Sequence, residues 1–332
     1  MKDGIKIAFV YIGLVIGAGF ASGREILEYF NMKTQTNPLP IILAALLFGL
    51  VAYLILSRTV RLGISDFALF VDKTAGKLSL IVKAIMYLFM FCGFFVMLSA
   101  GGELFSSAFS VSRKIGILTL CAICFAVFSF DIKGIVALNS VLVPFMIVGI
   151  VYLSVSSLLY SDAAVSTFPL SDNMAVSAVC YASYNTITAG AVLVPLYGVL
   201  NKRSIRTGVI LGSVILGLLI FIIWVTLNIF YKQILSAEMP LLNIAAMRGK
   251  IYKVIYVFVM FASICTTAIS HGFGILSRFH AKTVKGRVAA AGIFCLAALP
   301  FSDLNFSVLI SVLYSLFGYF GLIWLAILIF KR

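Results

Sequence analysis

The fold is decided by the stretch GLVIGAGFASG, residues 13–23, which interrupts a long apolar segment near the N-terminus. It holds four glycines, and each glycine in a helix interior costs about 1 kcal/mol relative to alanine. The stretch is not a dinucleotide-binding fingerprint, because no strand precedes it and its glycines are spaced GxGxxxG. The glycines therefore predict a break in a helix, with close helix packing as the alternative.

The composition around this stretch indicates an all-α polytopic membrane protein. Of 332 residues, 63% are hydrophobic and only 11% are charged, and the mean hydropathy is +1.16. A soluble domain carries about 25% charged residues, so a soluble enzyme, a nucleic-acid-binding protein and a disordered chain are all disfavoured. Apolar segments of about 20 residues recur along the whole chain, as expected of membrane-spanning helices.

Ten membrane spans are predicted, with short connections and no linker that would separate domains. In chain order they cover residues 5–28, 38–57, 78–103, 115–130, 134–159, 173–199, 205–231, 251–276, 288–301 and 304–330. Span one reads as a retained helix rather than a cleaved signal peptide, because it is too long and contains Arg24 and Glu25. Spans four and nine are short, which predicts little tilt or a partly re-entrant path.

The distribution of basic residues predicts an orientation in a bacterial cytoplasmic membrane. Most of the 25 Lys and Arg fall in connections that share a side with the N-terminus, whereas the loops around Asp162, Asp172 and Asp303 carry none. By the positive-inside rule, both termini are expected in the cytoplasm. The basic segment 232–253 falls on the outer side, and its Pro240 and apolar residues predict a short helix over the outer mouth.

The cysteines carry no clear redox or metal signal. All six lie inside apolar segments, and Cys121 and Cys124 form a CxxC pair without a second pair or a nearby histidine. They are expected to be packing thiols.

A second interruption is predicted in span six, which reads YASYNTITAG over residues 181–190 and is followed by Pro195. Irregular backbone inside a membrane is tolerated only where it lines a cavity. The two interruptions lie five spans apart, so the second copy of a five-span unit would enter the membrane from the opposite side. We therefore expect two inverted repeats, residues 1–159 and 173–332, with a binding site at mid-membrane between the broken helices.

These features resemble a known family. Ten spans with a glycine-rich span one and an interrupted span six are similar to the leucine-transporter fold of the amino acid–polyamine–cation superfamily. The run IGAGFASGRE, residues 16–25, resembles the YkvI-type bacterial membrane proteins, which are regarded as amino-acid permeases. The overall pattern covers nearly the whole chain, and the specific motif covers span one.

The resemblance implies a substrate site at the two breaks. The backbone around Gly17, Ala18 and Gly19 would receive a substrate carboxylate, since small residues let a ligand approach the N–H groups. Contacts from span six would come from the hydroxyl and amide groups of Tyr184, Asn185, Thr186 and Thr188. An apolar lid over the site would draw on Phe20, Phe94, Phe95, Tyr181 and Tyr314, of which Phe20 and Tyr181 are best supported by their neighbours.

The resemblance also implies a sodium site between spans one and eight. Gly13 and Ile16 would give backbone carbonyls, Ser263 its carbonyl, and Thr266 and Thr267 their hydroxyls. Five uncharged oxygens suit a hard monovalent cation better than a transition metal. No other cofactor is expected. Alternatively, the same hydroxyls hydrogen-bond to carbonyls in the preceding turn of their own helix.

The competing coupling ion is a proton. Span five lacks the mid-span lysine that replaces sodium in some relatives, since Lys133 lies at its end. His271 in span eight is either a packing residue near the inner end or a proton carrier or inner gate. On the outer side, Arg24 is expected to pair with Asp303 or Glu103 as a latch over the substrate, with snorkelling to headgroups as the alternative.

The sequence therefore predicts a secondary active transporter, not an enzyme. It would carry a small amino acid or related zwitterion. Sodium coupling is the preferred hypothesis, and proton coupling or exchange is the alternative. Amines or organic cations are the alternative cargo, and a membrane sensor, channel or enzyme is less favoured. No catalytic constellation or Walker motif is present, and a metal-ion transporter is disfavoured because neither break carries an acid. The partners are the cargo and the bilayer, and nucleic acid is not among them.

Overall fold

The computed structural model describes residues 2–31, 37–129, 135–159, 174–276 and 283–330, without the side chains of residues 2, 31, 135–141 and 174. Lys133 and the loop residues Asp162 and Asp172 lie outside the described residues. Throughout the described part the chain forms helices, short turns and no strand, as the composition predicts.

Span one is broken, as predicted. It comprises Lys2–Val15, Ala18–Ser22 and Arg24–Ile26, and the last of these passes into a π-helical turn over Leu27–Asn31.

The other nine spans follow the predicted order. Their helices are Leu39–Leu62, Ser79–Phe109, Arg113–Ser129, Ile135–Leu159, Met174–Leu193, Lys202–Ile229, Lys250–Leu276, Val284–Ala298 and, for span ten, Phe306–Leu309 followed by a π turn over Ile310–Tyr314 and the helix Ser315–Phe330. The connections hold the helices Phe67–Ala75, Tyr231–Ile234 and Pro240–Arg248, and 3-10 turns cover Gly76–Leu78, Val194–Val199 and Leu299–Phe301.

The helices are those of a membrane protein. Among the described residues, eight helical segments are long and apolar enough to cross a bilayer. Span one is not among the eight because its helix is broken, and span four is not because its helix has 17 residues, one fewer than the 18 required. Span nine reaches 18 residues over Val284–Phe301, so it is longer than the sequence pattern indicated. Large apolar side chains such as Leu80 and Ile293 are more than two-thirds exposed, as expected of a lipid-facing surface.

The predicted break in span six is wrong. The helix Met174–Leu193 runs unbroken through residues 181–190, and its regular winding changes only at the 3-10 turn that begins at Val194. Its polar side chains hydrogen-bond to carbonyls of the same helix, as the hydroxyl of Thr186 does to the carbonyl of Ser183. Span ten packs so closely here that a β-carbon on Gly321 would collide with the carbonyl of Ser183. The side-chain bonds use carbonyls of the intact helix, and the close packing of span ten favours the regular helix at this turn.

Eight of the ten spans pack as two groups, and spans five and ten each contact both groups. Spans one, two, six and seven contact one another, and spans three, four, eight and nine contact one another. Spans one and eight meet across the two groups, because Ala18–Ser22 packs against Lys250–Leu276. The predicted division into two inverted repeats stays a prediction.

The helix predicted within segment 232–253 is present and covers the second half of span one. It runs over Pro240–Arg248 and buries Leu241, which contacts Gly23. Leu241 would lie 2.9 Å from a β-carbon at Gly23, so this short helix closes directly over the kink.

Candidate functional site

The break in span one leaves buried backbone N–H groups without partners from their own helix. The first helix ends at Val15, and Gly17 is in an extended conformation that caps the second helix. The first bond of that second helix runs from the N–H of Ala21 to the carbonyl of Gly17, 2.8 Å. The N–H groups of Ala18, Gly19 and Phe20 therefore have no partner from their own helix, while all three residues are fully buried. Such N–H groups suit an anionic group.

A second interruption follows at Gly23, which sequence reasoning did not treat separately. Gly23 has φ +80°, a left-handed conformation that glycine adopts without steric cost. The chain turns there, and the side chain of Glu25 folds back towards the break.

Glu25 is a candidate site residue that the sequence-based prediction omitted. Its carboxylate fills the space that a side chain on Gly19 would occupy, and the residue is 3% exposed. Its carboxylate accepts a short hydrogen bond from the hydroxyl of Tyr184 in span six. The statement that neither break carries an acid is therefore wrong in three dimensions. The available signal was Glu25 placed two residues after a glycine, inside a predicted span.

The span-six residues divide into two groups. Tyr181 and Tyr184 face span one, with their rings 5.2 and 5.9 Å from the ring of Tyr29. By contrast, the side chains of Asn185 and Thr186 bond carbonyls of their own helix, at 2.9 and 2.7 Å.

Thr188 behaves like these two residues, because its hydroxyl bonds the carbonyl of Asn185 at 3.2 Å. The structure thus brings the two tyrosines to the break. It leaves the amide and threonine contacts as predictions that would need these side chains to turn.

The predicted ion ligands of spans one and eight lie side by side. The hydroxyl of Ser263 donates to the carbonyl of Ile16, 3.2 Å, and the hydroxyl of Thr266 donates to the carbonyl of Ser263, 3.0 Å. A hydroxyl or carbonyl oxygen in such a bond keeps a lone pair for a cation.

Thr267 differs from its neighbour Thr266. Its hydroxyl is buried without a hydrogen-bond partner in the described part of the chain, and it lies 3.4 Å from the position that a β-carbon on Gly17 would take. It is therefore an oxygen aimed at the break.

A small cavity is bordered by Thr267. It measures about 20 Å³, which is enough for one water. Its wall includes Gly13, Thr188, Thr267 and His271. The ring of His271 is buried, with Nδ1 2.9 Å from the carbonyl of Thr267 and Nε2 against Gly93.

The predicted outer latch has different partners. Arg24 lies 4.0 Å from Glu28 and donates to the carbonyl of Ala237 at 3.4 Å. Neither predicted acid pairs with it, because Glu103 lies 3.8 Å from Arg113 and Asp303 is exposed. The turn at Gly23 explains the difference, because it redirects the side chains that follow it. The pairing prediction is wrong, and Arg24 instead links span one to the outer segment.

The predicted lid is only partly assembled. Phe20 and Tyr181 are fully buried, and the ring of Tyr314 lies 4.9 Å from that of Tyr184. Phe94 and Phe95 lie elsewhere, because their rings stack 4.6 Å from Phe294 and 5.3 Å from Phe301 in the other group of spans.

All six cysteines are buried and free, which agrees with packing thiols. Among the described residues, no group of three or more His, Cys, Asp and Glu side chains is arranged to hold a metal ion.

Comparison with known proteins agrees with this architecture. No family profile matches the chain. The chain is 27% identical to the membrane protein YkvI of Bacillus subtilis strain 168, over 98% of this chain and 95% of YkvI. It is 26% identical to YyaD of the same strain, over 99% of this chain and 96% of YyaD. The similarity to YkvI that residues 16–25 indicate therefore extends over the full length.

Solved structures show the same fold. MhsT, determined in complex with L-phenylalanine, aligns with a TM-score of 0.71 at 16% identity, over 98% of this chain and 87% of MhsT. A Na+-coupled sialic acid symporter aligns with a TM-score of 0.64 at 13% identity, over 99% and 79% of the two chains. A manganese transporter of Eremococcus coleocola aligns with a TM-score of 0.62 at 12% identity, over 97% and 77%. The chain has the leucine-transporter fold. At these identities the likeness shows the fold alone.

Proposed function

We propose that this protein is a secondary active transporter that moves a small amino acid or related zwitterion by alternating access. The observation that carries the proposal is the buried break at Ile16 and Gly17. There the N–H groups of Ala18, Gly19 and Phe20 have no partner from their own helix, and Glu25, packed on Gly19, links the break to Tyr184 of span six. Unpaired backbone inside a membrane costs several kcal/mol per group, so it persists where a ligand site makes use of it. The solved structures of this fold that are named as transporters or symporters support the same class of function.

The two groups of spans supply the moving parts. Spans three, four, eight and nine would form a scaffold, and spans one, two, six and seven would rock against it around the break. The contact between Ala18–Ser22 and span eight lies on the boundary between the groups, so a ligand held there would be sensitive to their relative position.

Sodium is the proposed coupling ion. Its ligands would be the carbonyls of Gly13, Ile16 and Ser263 with the hydroxyls of Thr266 and Thr267. The arrangement supports this, because Ser263 already contacts Ile16 and the Thr267 hydroxyl is unpaired among the described residues and directed at Gly17. An ion there would tie the broken helix to the scaffold, which would couple ion binding to the closing of the site.

Proton coupling is the second candidate, favoured by one observation. The Nε2 atom of His271 is buried without a hydrogen-bond partner in the described part of the protein, and the ring borders the small cavity. A proton taken up there would lie one helical turn from the proposed sodium site, so the two ions are alternatives for the same coupling role.

Thermal unfolding of purified protein tests the proposal directly. The twenty proteinogenic amino acids would each be added in sodium and in potassium buffers of equal ionic strength. A ligand at 100 times its dissociation constant stabilises the folded state by about 2.7 kcal/mol. We expect at least one amino acid to stabilise in sodium and to do so less in potassium.

Two other outcomes separate the candidates. Equal stabilisation in both salts would remove sodium coupling and leave proton coupling or exchange, to be resolved by uptake into proteoliposomes under an imposed pH gradient. Stabilisation by no ligand in either salt, together with no uptake of labelled amino acids, would remove the amino-acid proposal.

A further inference from the structure

Glu25 lies at the break in span one, a position that was not expected from the sequence. It is a carboxylate inside a membrane span, packed against Gly19 at the proposed site. An ionisable group at this depth usually faces a ligand pathway, because hydrocarbon surroundings penalise its charge strongly.

Glu25 lacks a positive partner within the described residues. The adjacent Arg24 is directed away, towards Glu28 and the carbonyl of Ala237. Within the described part of the chain, the hydroxyl of Tyr184 supplies the one hydrogen bond to the Glu25 carboxylate. A carboxylate has about four acceptor positions. Glu25 therefore retains acceptor capacity that a cation would satisfy, and ionising a buried carboxyl group without a counter-ion costs several kcal/mol.

The surroundings of Glu25 are aromatic. Tyr184, which bonds it, lies 5.6 Å from Tyr181, 4.9 Å from Tyr314 and 5.9 Å from Tyr29 between ring centroids. All four rings are buried. Aromatic faces attract ammonium groups, and a carboxylate among several such rings recognises an organic cation more readily than a carboxylate-bearing anion.

The surroundings also argue against a divalent metal ion as the cargo. Mn²⁺ and its relatives prefer several carboxylate, carbonyl and water ligands. Among the described side chains, no other acid, histidine or cysteine joins Glu25 in a group of three.

We propose that Glu25 is the counter-ion for an ammonium group of the cargo, and that this group, rather than a carboxylate, is required for binding. The inference rests on the proposed function, because it places the cargo at the break in span one. The aromatic rings of Tyr29, Tyr181, Tyr184 and Tyr314 would surround the ammonium group, and the free N–H groups at Ala18–Phe20 would take a carboxylate when the cargo has one. Amines that lack a carboxylate are then substrates as well.

A matched ligand panel tests this on the wild-type protein. It contains the proteinogenic amino acids, the amines left when the carboxylate is removed, and the acids left when hydrogen replaces the amino group. Dissociation constants would be measured by thermal unfolding in sodium buffer. We expect amino acids and amines of one side chain to bind within about tenfold of each other, and the corresponding acids to bind at least about tenfold more weakly.

Two variants locate the effect. Glu25→Gln keeps the size of the side chain and an acceptor for Tyr184 but removes the charge, so affinity for amines and amino acids should fall at least about tenfold. Glu28→Gln is the matched control, because it removes the neighbouring acid that contacts Arg24 and should change affinity less than about twofold. Gel filtration and the unliganded unfolding curve check that both variants fold.

The outcomes separate this inference from the proposed function. Acids that bind and are taken up as well as amines, or Glu25→Gln protein that binds amines like wild type, would overturn the role of Glu25 while leaving transport intact. Absence of binding and uptake for the whole panel would overturn both. The wild-type panel decides the question even if the Glu25 variant does not fold.

Discussion

Replacement of Thr267 by valine gives a sharp test of the ion site. The two side chains have the same shape, so the substitution leaves no cavity and removes only a hydroxyl that is buried without a hydrogen-bond partner among the described residues. Thr266→Val, at the other proposed hydroxyl ligand, is the matched comparison for stability without sodium, because that hydroxyl does have a partner, the carbonyl of Ser263 at 3.0 Å.

The two variants are expected to differ in sign when sodium is absent. An unsatisfied buried hydroxyl costs about 1–3 kcal/mol, so Thr267→Val should raise the free energy of unfolding in potassium buffer by about 1–2 kcal/mol. Thr266→Val removes a made hydrogen bond and should lower it by about 1 kcal/mol. Sodium at 100 times its dissociation constant should stabilise wild type by about 2.7 kcal/mol, and both variants should lose most of this gain. Wild type then becomes more stable than Thr267→Val in sodium.

The assay is denaturant unfolding of the detergent-solubilised protein, in sodium and in potassium at equal ionic strength. The difference between the two salts reports ion binding, and the potassium value alone reports the cost of the unpaired hydroxyl. A Thr267→Val protein that gains as much from sodium as wild type does would refute Thr267 as a ligand. A Thr267→Val protein that is less stable than wild type in potassium would show that the hydroxyl has a partner.

Three further outcomes follow from single contacts. Gly23→Ala should lower the free energy of unfolding by roughly 2–3 kcal/mol, because alanine disfavours φ +80° and its β-carbon would crowd Leu241. An unfolding free energy that stays within about 0.5 kcal/mol of wild type in a denaturant titration would contradict this. Glu238→Ala should cost about 1–2 kcal/mol, because that carboxylate accepts from the N–H and hydroxyl of Ser307 at 2.7 and 2.8 Å, whereas Glu238→Gln should retain most of the stability in the same titration. His271→Gln should leave the sodium dependence of ligand binding unchanged, and loss of uptake driven by a pH gradient in this variant would instead support proton coupling.

The break in span one was predictable from the sequence. Four glycines in residues 13–23 are a local property, since each lowers helix stability wherever it stands. They predicted a break within this stretch, and the structure has it at residues 16 and 17. Hydropathy likewise placed the spans, because burial in a bilayer is predicted from composition, and Pro240 with the amphipathic pattern after it placed the short helix Pro240–Arg248.

The break in span six was predicted wrongly from local sequence. Its hydroxyl and amide groups resemble those of an unwound segment, yet the same groups also bond carbonyls one turn back, as Thr186 does to Ser183. The close approach of Gly321 to this turn favours the regular helix, and that approach depends on span ten.

Sequence alone determined that the chain is a membrane protein with several spans and that span one breaks within its glycine-rich stretch, whereas the cation ligands of spans one and eight stay a prediction. Only the tertiary structure decided that Glu25 lies at the break, that Arg24 does not pair with Glu103, and that span six stays helical. The physical reason is the range of the forces involved. Helix propensity and hydropathy act along neighbouring residues, whereas the partner of a buried charge is set by a chain reversal, here at Gly23, and by side chains distant in sequence, here Tyr184.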